Sequence, residues 1–197
     1  KPESVGKMFK PYNLDVICFN EVPHGNWTLR VGRELGMKHV HVGKVSSANH
    51  KDKYKSILSR FPLRDKSEVA FDSKGWKPAS VVTARTNIKG VPLTLYSTHI
   101  PGQPDVENSA ASFISKKMLS DPHDDNLFVL GDFNNLLFEG ALKAFKEAGM
   151  KSIWHGLSID TANISTHRLQ GWLQPARLQN QNNHPVSYTH LTLPTKA

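Results

Sequence analysis

Apolar residues in this chain fall into short runs closed by turn formers, and the runs change period along the sequence. Leu14 to Phe19 is largely apolar on both faces, the pattern of a strand covered on both sides. Residues 92–97 alternate in β-rich fashion and lead to His99 just before the Pro101-Gly102 break. Leu127-Phe128-Val129-Leu130 is an unbroken apolar run that closes on Gly131-Asp132-Phe133-Asn134. Further strands are predicted near 39–42, 55–59, 69–71 and 80–87, with Lys89-Gly90 as a hairpin turn. Helices are predicted over 26–35, 106–119 and 140–148, and residues 1–11 read as the end of another. Gly36 and Gly149 stand where C-terminal caps favour glycine. Asp105 is placed as the N-cap of the second predicted helix, whose apolar stripe is Phe113, Ile114, Met118 and Leu119. Meander strands bracketed by αβ units predict two sheets with helices outside.

Three of the predicted strands deliver a polar group to a loop. In an extended segment Asp132 and Asn134 point the same way and Phe133 points back into the core. A carboxylate able to hold a water or a metal then sits beside an amide able to grip an oxyanion. The competing reading is a plain turn, because Gly-Asp and Asn-Asn are also turn formers. Glu21 ends the first strand, and an unpaired carboxylate is costly to bury. A hard divalent cation resolves that cost; so does an exposed strand end, or pairing with Arg30 or Arg33. His99 alone proves little in a chain with 10 histidines. Together these strand ends form a constellation of the kind from which sites are built.

The residues around them resemble a known family. Asp15-Val16-Ile17-Cys18-Phe19-Asn20-Glu21-Val22 is similar to the "D-I-I-x-x-Q-E-V" motif of the endonuclease/exonuclease/phosphatase superfamily, the deoxyribonuclease I-like fold. Ser56 to Leu63 resembles its "I-L-S-R-x-P" strand, Ser97-Thr98-His99-Ile100 its "x-T-H-L" motif, and Leu130 to Asn134 its "G-D-F-N". All four occur in the family's order over residues 1–157. The resemblance implies a four-layered α/β sandwich, two packed mixed β-sheets flanked by helices. It also implies metal-dependent hydrolysis of a phosphate ester, of phosphodiesterase or nuclease type, by in-line attack of an activated water. Carried over residue by residue, Glu21 binds Mg2+ or Mn2+, and His99 hydrogen-bonds the scissile phosphate. Asp132 orients or deprotonates the attacking water, and Asn134 helps hold the phosphate. Asn20 stands where the family usually has glutamine and is assigned no catalytic role.

The resemblance also implies parts that do not follow. An early strand with a metal-site asparagine is expected upstream of Lys1, and a closing "D-H-I" strand and "S-D-H-x-P-V" motif have no match. Asn183-His184-Pro185-Val186 mimics the last only superficially, and Asp160 comes too early to replace the missing acid. Residues 1–160 are therefore read as a partial domain, with 161–185 an uncertain polar tail. Val186 to Ala197 looks like translated transposase adapter from a sequencing library, a scar to be left out of fold reasoning. Two other readings stay open: a non-catalytic member that binds a phospho-ligand or partner through the same cleft, and an inactive fragment.

Composition bounds the rest. A chain of 197 residues, 38% hydrophobic, can bury one sizeable core. The single cysteine, Cys18, excludes intramolecular disulfides and leaves the compartment open. No apolar stretch approaches the ~20 residues that span a bilayer, and a monomer is expected. Formal charge is +8, of which three positive charges (Arg168, Arg177, Lys196) lie in the tail. The excess suits a polyanionic partner such as nucleic acid, and the resemblance implies a phosphate-ester substrate. Lys44, His50, Lys51, Lys53, Lys55, Arg60 and Arg64 either line a phosphate groove or form an ordinary solvated face. Trp27, Trp76 and Trp154 are read as core or groove packing residues, with stacking on a base or sugar the alternative for Trp76.

Overall fold

Strand alternation sorts the buried side chains into three layers of contact. The computed structural model describes residues 1–73, 76–100, 104–121, 126–134, 143–158 and 191–192. Strands β1 (Val16–Val22), β2 (His39–Val42) and β3 (Tyr54–Ser59) form an antiparallel sheet in the order β1-β3-β2. The second sheet is mixed. It contains β4 (Arg64–Ser73), β5 (Trp76–Ile88), β6 (Val91–His99), β7 (Asn126–Asp132), β8 (Lys151–Ser152) and β9 (Leu191–Thr192), in the order β4-β5-β6-β7-β9-β8. Only β6 and β7 are parallel among these pairs, with Thr98 opposite Gly131 and His99 opposite Asp132. The helices are α1 (Pro2–Phe9), α2 (Trp27–Leu35), α3 (Pro104–Ser120), α4 (Lys143–Glu147) and α5 (Ile153–Gly156).

One apolar cluster fills the seam between the sheets: Ile57, Val82, Ala84 and Leu95, with Val16, Cys18, Phe128 and Leu130 packed against it. Alternate residues on the same strands turn outward. Ile17, Leu58 and Phe19 meet α1 and α2 through Val31, Phe9 and Trp27. Val81, Tyr96, Val129 and Phe133 meet α3 and α4 through Ile114, Met118 and Phe145. The result is the helix–sheet–sheet–helix sandwich expected from the sequence. The apolar-on-both-faces reading of β1 and β7 has its cause here, since each strand is covered by a sheet on one side and a helix on the other. Trp27 packs edge-on against Phe19, with ring centroids 5.4 Å apart.

Several boundaries differ from the pattern-based ones for identifiable reasons. Strand β4 is far longer than 69–71 because it is a sheet edge, where exposed Arg64, Asp65 and Lys66 carry no apolar signal; such charges protect edges from unwanted pairing. Helix α3 starts at Pro104, so Asp105 lies inside the first turn instead of capping it. Leu191 and Thr192, in the segment read as adapter-derived, pair with Val129 and Phe128 along the edge of β7. The side chains of Trp76 and Trp154, Asp160, and residues 161–190 with the His184 mimic lie outside the described residues. Among the described residues no helix is long and apolar enough to cross a membrane.

Candidate active site

The rule that fills the seam also builds its polar rim. Asp132 follows Leu130 by two positions, His99 follows Leu95 by four, and Asn20 follows Cys18 by two, so all three continue the inter-sheet face at strand ends. Parallel pairing of β6 and β7 sets His99 opposite Asp132, with Nε2 to Oδ2 at 3.7 Å. Glu21 follows Asn20 and by alternation would face α2. A register shift between Phe19 and Val22, with Glu21 at φ 53°, turns it back to the rim. Its Oε1 lies 3.9 Å from His99 Nδ1. The Arg30 pairing considered for Glu21 does not occur, because Arg30 binds Glu3 at 2.6 Å.

Asn134 reaches the site by a different route from the one the sequence predicts. Strand β7 stops at Asp132, and Asn134 adopts a left-handed φ of 47°. Its backbone N–H donates to Asp132 Oδ1 at 3.0 Å, closing a small turn. Phe133 is fully buried between them, as expected. The Asn134 amide donates to the Ile100 carbonyl at 2.8 Å and meets His99 Nε2 at 3.1 Å. Turn and strand-end chemistry are therefore the same object here. An amide that donates to Nε2 assigns the imidazole proton to Nδ1, the nitrogen turned toward Glu21.

His99 is 4% exposed. Burial pulls its pKa down, the charges of Asp132 and Glu21 pull it back up, and Lys55 and Lys53 push it down again; the result lies below the ordinary histidine value. The unfolded chain therefore takes up the proton first. This contribution to stability is complete above about pH 6.5 and is lost as pH falls through the folded-state value. Urea midpoints taken from about pH 7 down to about pH 5 should decline, and His99→Gln should flatten part of that decline. An equal decline in the variant would assign it to other groups.

Glu21 is half exposed and pairs with Lys53 Nζ at 2.7 Å. Burial by itself would raise the carboxyl. The Lys53 hydrogen bond, with the charges of His99, Lys53 and His50, outweighs it and holds the group below the usual carboxylate value. Among the described residues no three His, Cys, Asp or Glu side chains converge into a metal cage. The donor set nevertheless fits Mg2+ or Mn2+. Mg2+ takes one or two carboxylates, with substrate phosphate and water completing its shell, and a cation already stands against Glu21 in the form of the Lys53 ammonium.

Sequence reasoning missed two groups. Asn20, with its amide turned to satisfy both neighbours, donates to the Thr98 carbonyl at 3.0 Å and accepts from Asp132 N–H at 3.0 Å. It staples β1 to the two strand ends that carry His99 and Asp132, a positioning role. Lys55, grouped by its sequence neighbours with a basic groove or solvated face, belongs to neither. It is fully buried on the seam face of β3 and donates to Ser47 Oγ at 2.9 Å. Burial lowers its pKa to about 8 against the opposing pull of Glu68. The available signal was its place in the alternation, two residues before Ile57. Arg60 also leaves the group, binding Asp15 and the Leu14 carbonyl.

The sequence profile of the Endonuclease/Exonuclease/phosphatase family matches residues 1–188. The chain belongs to this family. Solved structures of the same fold include the endonuclease/exonuclease/phosphatase family protein from Leptotrichia buccalis C-1013-b, with TM-score 0.73 and 14% identity over 98% of this chain and 81% of that one. A D. rerio TDP2 humanized by 14 mutations has TM-score 0.73 and 13% identity over 100% and 76%. The endonuclease/exonuclease/phosphatase from Beutenbergia cavernae DSM 12333 has TM-score 0.73 and 15% identity over 98% and 59%. Identities this low speak to the fold alone. No curated protein matches the chain. Members of the endonuclease/exonuclease/phosphatase family are hydrolases of phosphodiester bonds and generally use divalent metal ions.

Proposed function

We propose that this endonuclease/exonuclease/phosphatase family chain is a metal-dependent phosphoesterase of phosphodiesterase or nuclease type. The observation that carries this reading is the convergence of four groups on one rim: Glu21 and Asp132 lie 3.9 and 3.7 Å from opposite nitrogens of His99, and Asn134 lies 3.1 Å from it. A carboxylate on each side of a neutral, buried imidazole gives two places for positive charge or polarised water, with a donor between them.

In this reading Glu21 holds Mg2+ or Mn2+, which when bound supplies charge neutralisation at the phosphate oxygens. His99 hydrogen-bonds the scissile phosphate in this reading, through the imidazole that Glu21 and Asp132 flank. Because burial disfavours its charged form, it acts as a neutral donor that needs no reorganisation when charge develops. Asp132 has one oxygen fixed by Asn134 N–H, which leaves the other to orient and deprotonate the attacking water. Asn134 locks the imidazole tautomer, its two amide N–H groups being engaged by His99 Nε2 and the Ile100 carbonyl, and Asn20 keeps the strand ends in register. Lys53 and His50, close enough to act on Glu21 electrostatically, favour a polyanionic substrate such as a nucleic-acid strand.

The test is hydrolysis of bis-p-nitrophenyl phosphate and of DNA and RNA oligonucleotides. Activity should vanish in EDTA and return with excess Mg2+ or Mn2+, and Glu21→Ala should raise the metal concentration needed. Undiminished turnover in EDTA would remove the metal from the mechanism, and no turnover on any phosphodiester would remove the function.

A further inference from the structure

The cation on Glu21 is presented by a loop with unusual construction. Residues 46–53 close on themselves: Ser47 N–H donates to the Lys53 carbonyl at 3.2 Å, and Lys53 N–H donates to Ser46 Oγ at 3.1 Å. The Ser46 hydroxyl in turn donates to the His50 carbonyl. Ala48 and Asn49 take consecutive left-handed conformations, φ 52° and 56°, which L-residues adopt only when the surroundings hold them there.

The surroundings do so from three sides. Buried Lys55 donates into the loop at Ser47 Oγ. Glu68, reaching across from β4, holds the segment just before the loop, accepting the N–H groups of Lys44 at 2.5 Å and Val45 at 3.2 Å while also accepting from Ser80 Oγ at 2.7 Å. Asn49 donates to the Lys77 carbonyl at 3.1 Å. Both sheets thus clamp the loop, and its last residue places an ammonium 2.7 Å from a carboxylate at the rim. Lys53 is consequently no wandering surface lysine. Its side chain is 29% exposed, against 49% for Glu21.

We infer that Lys53 is an internal cation competing with the divalent ion for Glu21, and that the clamped loop 46–53 sets the metal affinity of the site. The inference rests on the phosphoesterase reading only in taking Glu21 as the metal's carboxylate. Lys53 already binds Glu21 Oε1, so an ion that takes that oxygen displaces the ammonium and one that takes Oε2 meets its repulsion. The clamped backbone keeps the displaced charge nearby, where it repels the ion and attracts phosphate. Metal binding alone is therefore weakened, and binding together with an anionic substrate is favoured.

The experiment measures Mn2+ binding to the 197-residue chain, without substrate, from the EPR signal of free Mn2+ at low ionic strength. Lys53→Met and Lys53→Gln should each bind Mn2+ about three- to thirtyfold more tightly than wild type. Lys53→Arg, which keeps the charge, should bind as wild type does. Glu21→Ala should lose the site. Unchanged or weaker Mn2+ binding in both neutral variants, with Glu21→Ala still losing the ion, would overturn the competition and leave the phosphoesterase reading standing. Wild-type affinity in Glu21→Ala would overturn both. Using two neutral side chains guards against one variant misfolding, and a purely structural role for Lys53 predicts no tighter Mn2+ binding in either.

Discussion

Asp132→Ala should lower phosphodiester hydrolysis by about 10²–10⁴-fold, the range expected when a positioned acid–base group is removed. The melting curve should stay near that of wild type. The side chain is 28% exposed and makes one hydrogen bond to its own turn, from Asn134 N–H at 3.0 Å, so its removal costs about 1 kcal/mol. The informative companion is Asp132→Asn. It keeps an acceptor for Asn134 N–H, and with it the turn that carries the amide to His99, but cannot take a proton from water. Steady-state rates on bis-p-nitrophenyl phosphate should fall as far in Asn as in Ala. A near-wild-type rate for Asn would mean that Asp132 acts by shaping the turn, and the base would have to be sought elsewhere.

The fold was legible in the sequence to the extent that burial imposes a period. Strands β1, β6 and β7 each show it, because every second residue meets the opposite sheet and the intervening ones meet a helix. The site residues inherit that order, and His99 and Asp132 could be placed from counting alone. What counting missed has three physical sources. The bulge at Glu21 and the left-handed turn at Asn134 break alternation, so the two groups reach the rim by backbone conformations that residue type does not announce. The edge strand β4 is marked by charges, which are read as loop. Lys55 is a buried charge and Glu68 a partly buried one, and their partners, Ser47 and Ser80, are distant enough in sequence that nothing local pairs them. Composition points to a solvated face for such residues, whereas their position within an alternating strand points inward.

Gly131→Ala should destabilise the chain by more than about 3 kcal/mol, a loss reserved for overlaps that cannot be relieved by rotamer changes. A Cβ at residue 131 would lie 1.8 Å from the Thr98 carbonyl oxygen and 2.8 Å from its carbon, both backbone atoms of the neighbouring strand. Relief requires β7 to part from β6 where Thr98 faces Gly131. That pairing also sets His99 opposite Asp132, so stability and activity must fall together. Gly131 has φ 155°, which adds backbone strain of its own, and Gly90→Ala is the control for strain alone. Gly90 has φ 92°, and a methyl added there would meet nothing within 4 Å, so its cost should be about 1 kcal/mol. Denaturant midpoints of the two variants separate the effects. Equal losses would show that conformation alone demands glycine at 131. A much larger loss at 131 would show that the absent side chain is what lets two strands approach closely enough to bring an acid and an imidazole to one rim.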